Sequence, residues 1–292
     1  MCGLIRRATS DQPVRHELAG TSPAVRANLN MRIRTIRLIT FSPTGTTRRI
    51  ADEIALGFQG ESIERLDLTL PTAASASIST TTTDMAIIGA PVYGGRLPVE
   101  AVRRFKAIND KGTPAVLLVV YGNRAVEDAL LELRDLASSC GFKPIAAAAF
   151  IGEHSFSSDH TPIAPNRPYT DDLVQAFRFG TEVRRKMQRQ EFDLPQIPGN
   201  IPYRDHAKLP QTSAITIESA CRKCRACLTA CPTAAISIRD VIETNQKRCI
   251  LCCACIKKCR HSARILPDAQ IKQIAERLSA TCREPKAPQT FY

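Results

Sequence analysis

The stretch IRTIRLITFSPTGTTRRIADEIALGF, residues 33–58, decides the fold of the larger part of the chain. Residues 33–41 are apolar and β-branched and predict a strand buried on both faces. A run of small hydroxyl residues around a glycine follows, and from Thr47 the apolar residues recur at helical spacing. Strand, hydroxyl-rich turn and helix in that order open a parallel βαβ unit. The turn itself holds no charged residue. Ser42, Thr44, Gly45, Thr46 and Thr47 offer hydroxyls and closely approachable amides at the positive end of the helix, which suits the phosphate of a mononucleotide. Plain helix capping by Ser and Thr is the competing reading, and the place directly after the first strand favours the phosphate.

The alternation continues outward. Strands are expected over 62–70, 84–95, 113–124 and 143–155, and helices over 99–108, 125–140 and 170–188. The polar, low-complexity stretch PTAASASISTTTT (71–83) reads as a solvated loop. Near-continuous apolar strands separated by helices imply an α/β doubly wound parallel sheet, and five such strands suit the order 2-1-3-4-5. In open α/β sheets ligands lie beyond the carboxyl ends of the strands. Two further loops would end there: Pro91, Val92, Tyr93, Gly94 and Gly95 after the third strand, and Tyr121, Gly122, Asn123 and Arg124 after the fourth. Each joins an aromatic ring to glycine, so Tyr93 or Tyr121 could stack on a planar cofactor while loop amides tune its edge. The plainer alternative is that the tyrosines cap the sheet and the glycines turn the chain. His154, after the fifth strand, is a proton donor in one reading and a structural hydrogen-bonding group in the favoured one.

A different chemistry is written in CRKCRACLTACP (221–232) and CILCCACIKKC (249–259). Cys221, Cys224, Cys227 and Cys231 stand in a C-x2-C-x2-C-x3-C run, and Cys249, Cys252, Cys255 and Cys259 repeat it. This is the bacterial ferredoxin spacing, in which the fourth cysteine of each run ligates the other cluster. Cys221, Cys224, Cys227 and Cys259 are therefore expected to hold one [4Fe-4S] cluster, and Cys249, Cys252, Cys255 and Cys231 the second. Zinc knuckles use four cysteines in two pairs, not two runs of four, and disulfide scaffolds belong to small secreted proteins. Arg260 stands where Pro232 closes the first run, so that turn is expected to be less rigid. Cys253 lies between two ligands and reads as an inert packed thiol.

Composition bounds the rest. The 292 residues suffice for more than one core, and nine of the twelve cysteines lie within 221–259. No apolar run approaches the roughly 18 residues of a membrane span. Thiolate clusters point to a reducing compartment, so the cytoplasm is the expected location. The formal charge of +12 invites a nucleic-acid partner, but residues 214–265 alone carry ten Lys or Arg against three acids. Anionic clusters and a flavin phosphate would offset that surplus, so no nucleic acid is expected, and the remaining positive surface is of the sign that steers an acidic redox protein.

The expected organisation is a disordered or non-native extension (1–31, with Met31 a candidate start), an α/β unit (32–190), a Pro-rich semi-extended linker (191–213), the cluster unit (214–266), and a C-terminal helix with a loose tail (267–292).

The SPTGTT turn resembles the [TS]-x-T-G-x-T phosphate loop of flavodoxins. With APVYGGRLP, YGNRAVEDALLEL, IGEHSFS and the two cysteine runs, residues 35 to 265 resemble the ferredoxins that carry an N-terminal flavodoxin-like domain. That resemblance implies a flavodoxin-like sheet followed by a small α+β dicluster ferredoxin domain. It also implies FMN, two [4Fe-4S] clusters and electron transfer to a redox protein. The absence of tryptophan leaves flavin stacking to tyrosine or to no aromatic ring. No G-x-G-x-x-G nicotinamide fingerprint is present, so an electron carrier is the leading reading and a flavin-dependent reductase with its own substrate the alternative.

Overall fold

The computed structural model describes residues 32–72, 84–193 and 195–292; the 1–31 extension and most of the 71–83 loop lie outside the described residues. Strands β1 (Thr35–Thr40), β2 (Ser62–Asp67), β3 (Met85–Pro91), β4 (Pro114–Tyr121) and β5 (Lys143–Ile151) form a parallel sheet in the order 2-1-3-4-5. That is the flavodoxin-like order. Central β1 is paired on both sides, Ile36 lying opposite Ile63 and Met85, whereas β2 is an exposed edge. Helices α1 (Thr46–Phe58) and α4 (Thr170–Gln188) cover one face, and α2 (Val99–Phe105) and α3 (Ala129–Ser139) the other. Each face buries a separate apolar layer: Ile50, Ile54, Phe58 and Phe179 on one side, Phe41, Phe105, Leu130 and Leu133 on the other. The contact of α1 with α4 depends on two glycines. A Cβ at Gly180 would lie 2.1 Å from the Ile54 carbonyl oxygen, and one at Gly57 would lie 2.1 Å from that of Phe177.

Residues 214–266 form a small unit whose two halves match at an offset of 28 residues. Short helices α5 (Ala226–Thr229) and α6 (Ala254–Lys257) are one matched pair, and the turns at Glu218–Ala220 and Gln246–Arg248 another. Strand β6 (Ile215–Thr216) pairs antiparallel with β9 (Arg264–Ile265), and β7 (Ile236–Ile238) with β8 (Ile242–Thr244). Matched non-glycine residues share left-handed backbone: Lys223 and Leu251 (φ 49° and 54°), Arg225 and Cys253 (65° and 56°), Ala234 and Ser262 (47° and 49°). The turn after Cys259 thus keeps the conformation of the turn after Cys231, although Arg260 replaces Pro232. The backbone is fixed by the repeat and not by the proline ring.

One expectation is corrected. The tail is not loose: after α7 (Ala269–Thr281) the chain returns as β10 (Gln289–Phe291), antiparallel to β5, with Gln289 opposite Ala149. It extends the sheet to six strands. The Pro-rich segment, expected as a semi-extended linker, has no helix or strand among its described residues and is held against the sheet unit. The Asp128 carboxylate accepts hydrogen bonds from the Asn200 amide (2.9 Å) and the Arg204 amide (2.7 Å). The Tyr203 hydroxyl donates to Asp135, and Arg204 pairs with Glu127. The small unit docks on the sheet unit through Arg104, which donates to the carbonyls of Leu68 (2.7 Å) and Pro232 (2.5 Å), and through a Lys257–Glu153 pair at 2.5 Å.

Candidate functional site: one cavity at the sheet edge and two lined by cysteine

A cavity of about 530 Å³ opens at the carboxyl ends of the strands. Its size is that of a small-molecule site. Ser42, Thr44, Thr46 and Thr47 line one end, at the start of α1. Gly45 takes φ 84° there and gives the helix no side-chain cap, and the first turn carries no acid. The Ser42 hydroxyl accepts from the Arg48 amide (3.1 Å), which folds the turn back on itself. An anion at this point would meet the positive helix end and three threonine hydroxyls.

Pro91, Val92, Tyr93, Gly94, Tyr121, Gly122 and Arg124 line the rest. Three expected residues do not. Gly45 and Gly95 shape their turns with positive φ, and a Cβ on Gly95 would overlap the Glu127 carboxylate. Asn123 is turned away: its Nδ2 donates to the carbonyls of Cys282 (2.8 Å) and Glu284 (2.9 Å), and its Oδ1 accepts from the Lys286 amide (3.0 Å). It anchors the C-terminal segment, 159 residues downstream.

Burial lifts the Tyr93 hydroxyl well above its ordinary pKa, the Cys252 and Cys253 thiols add to the rise, and a hydrogen bond with Ser155 opposes it. Tyr93 is therefore a neutral phenol. Burial also lowers His154 to about 4, helped by the nearby charges of Lys257 and Arg124. Its Nδ1 accepts from the Phe156 amide at 3.0 Å, and the ring meets Phe156 edge-on. A neutral, fixed imidazole matches the structural reading of His154. Gly122 gives it room, since a Cβ there would lie 2.3 Å from the ring.

The eight cysteines of the two runs gather around two further cavities. One is lined by Cys221, Cys224, Cys227 and Cys259, the other by Cys231, Cys249, Cys252 and Cys255. Each thus takes three cysteines from one run and the fourth from the other. No cysteine among the described residues is in a disulfide. Among those residues no three His, Cys, Asp or Glu side chains converge as ligands of a single ion. Cys253 also lines the second cavity, and burial pushes its thiol up to about 12, so it stays protonated.

No family model and no curated protein matches the chain. Solved structures that it resembles include a flavodoxin from the domain Archaea (12% identity, TM-score 0.33, over 53% of this chain and 99% of that one). Another is the Streptococcus pneumonia TIGR4 flavodoxin (18%, 0.36, 52% and 99%). A third is the rubredoxin oxygen:oxidoreductase of Desulfovibrio gigas (12%, 0.40, 56% and 39%). These identities and TM-scores are too low to carry an argument, and the strand order stands by itself. Among the described residues no helix is long and apolar enough to cross a membrane.

Several wall residues of the large cavity come from segments that sequence reading left outside the site. Arg204, His206, Ala207, Lys208 and Leu209 arrive from the Pro-rich segment, Ile250 and Leu251 from the second cysteine run, and Ile274, Arg277 and Leu278 from α7. The one signal available was Gly94: a Cβ there would lie 2.5 Å from that of Ala207, so this glycine is required by a remote neighbour.

Proposed function

We propose that the chain is an electron-transfer iron–sulfur flavoprotein, with FMN in the large cavity and a [4Fe-4S] cluster in each cysteine-lined one. It would relay electrons between the flavin and an external redox protein, in the reducing setting of the cytoplasm that such thiolates favour. The observation that carries this reading is the crossed lining of the two small cavities. A cubane takes four thiolates at separated corners, and two clusters that exchange their fourth ligand need this interleaving.

The donor set fits. Backbone amides donate to sulfur, Lys223 to Cys221 (3.4 Å) and Ala235 to Cys231 (3.2 Å). Arg264 is 2% exposed and its Nε has no hydrogen-bond partner. Its guanidinium lies 4.0 Å from the Cys255 sulfur, and it makes no ion pair among the described residues. A buried cation without a carboxylate is costly, and an anionic cluster beside it would supply the counter-charge. At the large cavity, Ser42, Thr44, Thr46 and Thr47 would hold the phosphate, while the Pro91–Gly94 and Tyr121–Gly122 loops would flank the ring. Bound there, FMN would supply chemistry that takes two electrons and gives them up singly, and each cluster would supply one-electron transfer. The chain's own residues bind, orient and exclude water; the neutral His154 holds its loop and stores no proton near neutral pH.

Anaerobic purification followed by an absorbance spectrum and iron, sulfide and flavin counts tests the reading. About eight iron and one FMN per chain are expected. Four iron, or a chain that takes up no FMN, would contradict it.

A further inference from the structure

The two cysteine loops occupy matched places in the repeat, yet their non-ligand residues are opposite in kind. In the first loop the residues between and beside the cysteines are Arg222, Lys223 and Arg225, all exposed, and Cys224 is exposed with them. In the second loop the matched residues are Ile250, Leu251 and Cys253, and the cysteine matched to Cys224, Cys252, is only 8% exposed. Equal backbone conformation at Lys223 and Leu251, and at Arg225 and Cys253, shows that the repeat did not require this difference. What differs is what each loop faces.

Ile250 and Leu251 line both the large cavity at the sheet edge and the Cys231/Cys249/Cys252/Cys255 cavity. They form the wall between the two. The other cavity shares no lining residue with the large one; Arg222, Arg225 and His261 stand at its edge instead. Arg260 and His261, which follow Cys259, are exposed on the same side. Within 214–266 the only ion pair among the described residues is that of Lys257, so this cationic rim is not neutralised by the chain itself.

Resting on the flavin and cluster reading above, we infer that the two clusters have fixed places in the relay. The Cys231/Cys249/Cys252/Cys255 cluster is the flavin's neighbour, and the Cys221/Cys224/Cys227/Cys259 cluster is the outlet, where an acidic one-electron carrier protein docks on Arg222, Lys223, Arg225 and Arg260. A cationic rim around an exposed redox centre raises the encounter rate with anionic partners and lowers it with cationic ones. An apolar wall toward the flavin excludes water from the inner step. The outer step moves one electron from the reduced cluster to the carrier and transfers no proton.

The test uses the full, cofactor-loaded chain, reduced under anaerobic conditions and mixed with limiting oxidant at low ionic strength. The probes are ferricyanide, an anion, hexaammineruthenium(III), a cation, and an acidic plant-type ferredoxin. The triple variant Arg222→Glu/Lys223→Glu/Arg225→Glu is compared with wild type and with Arg178→Glu, an exposed charge on α4 away from the rim. The triple variant should react about tenfold or more slowly with ferricyanide and with the acidic ferredoxin, and faster with the ruthenium complex. Raising the salt should erase most of the difference, and flavin–cluster equilibration after a laser flash should not change. Equal effects from Arg178→Glu, or rates that ignore the triple reversal in a chain that carries eight iron, overturn the docking site alone. A slowed ferricyanide reaction with an unaltered ferredoxin reaction also overturns it. A chain without iron overturns the cluster reading and the docking site together.

Discussion

The sheet unit and the cysteine-rich unit are held together by different physics. In the sheet, an apolar layer lies on each face, the strands β3, β4 and β5 are almost wholly buried, and nearly all the core is hydrocarbon. In 214–266 the buried apolar residues are mostly small, Cys227, Cys231, Cys252, Cys253, Ala214, Ala235, Ala254 and Ala263, with Ile236, Ile242 and Leu251 the larger ones and Arg264 buried nearby. At about 0.8 kcal/mol per buried methylene, so few aliphatic groups offset little of the entropy lost by ordering some fifty residues. The first unit can fold on its side chains alone; the second is short of a core unless something other than side chains fills it. Four thiols line each of its two cavities, and the clusters proposed above would fill them.

On the proposed cluster reading, the largest effect that would break this contrast is removal of iron. A strong chelator under reducing conditions should unfold 214–266 while the sheet unit stays folded. Hydrogen exchange would show lost protection at the β6 to β9 amides and retained protection in β1, β3 and β4. A unit that stays protected without iron would put the two regions on the same footing. Loading should also release protons, because burial holds the Cys227, Cys249 and Cys255 thiols above their ordinary pKa until metal replaces the proton.

Gly180→Ala probes the sheet unit at its tightest contact. The new methyl would lie 2.1 Å from a backbone oxygen of α1, which cannot rotate aside. Overpacking of this kind costs about 1–3 kcal/mol, partly offset by the better helix propensity of alanine. The urea midpoint of the sheet unit should fall, with the iron count unchanged. A variant as stable as wild type would mean that the two helices do not cross this closely.

The smallest effect concerns pH. His154 binds a proton less readily in the folded chain (pKa about 4) than in the unfolded one (about 6.5). Its contribution is therefore complete above about pH 6.5, falls as the pH is lowered, and stops changing below about 4. Stability of the flavin-free sheet unit should drop by about 1–2 kcal/mol between pH 7 and pH 5, and His154→Gln should flatten that slope. An identical slope in both proteins would mean that His154 is solvated and free to protonate.

Much of this arrangement was legible because it is local. The βαβ alternation, the hydroxyl turn at Ser42–Thr47 and the spacing of the cysteines each lie within a few turns of chain. The strand pattern suited the order 2-1-3-4-5 without fixing it, and the pairing of the strands in the structure decides it. What escaped reading depends on contacts between remote residues. Asn123 looked like a loop residue of the ligand site and instead holds Lys286; nothing in the sequence signals that Arg104, on an amphipathic helix, reaches Pro232, 128 positions on. The tail was too short and polar to show as a strand, and only the unpaired edge of β5 makes it one.

The sequence by itself determined what chemistry is on offer: hydroxyls and a glycine in one turn, and two runs of four thiols. Only the tertiary structure decided what faces what. Side-chain chemistry is carried by each residue, but neighbourhood is a property of the packed chain. The repeat alone could not say which loop meets the sheet; docking buries Ile250 and Leu251 against the large cavity and leaves Arg222, Lys223 and Arg225 in solvent.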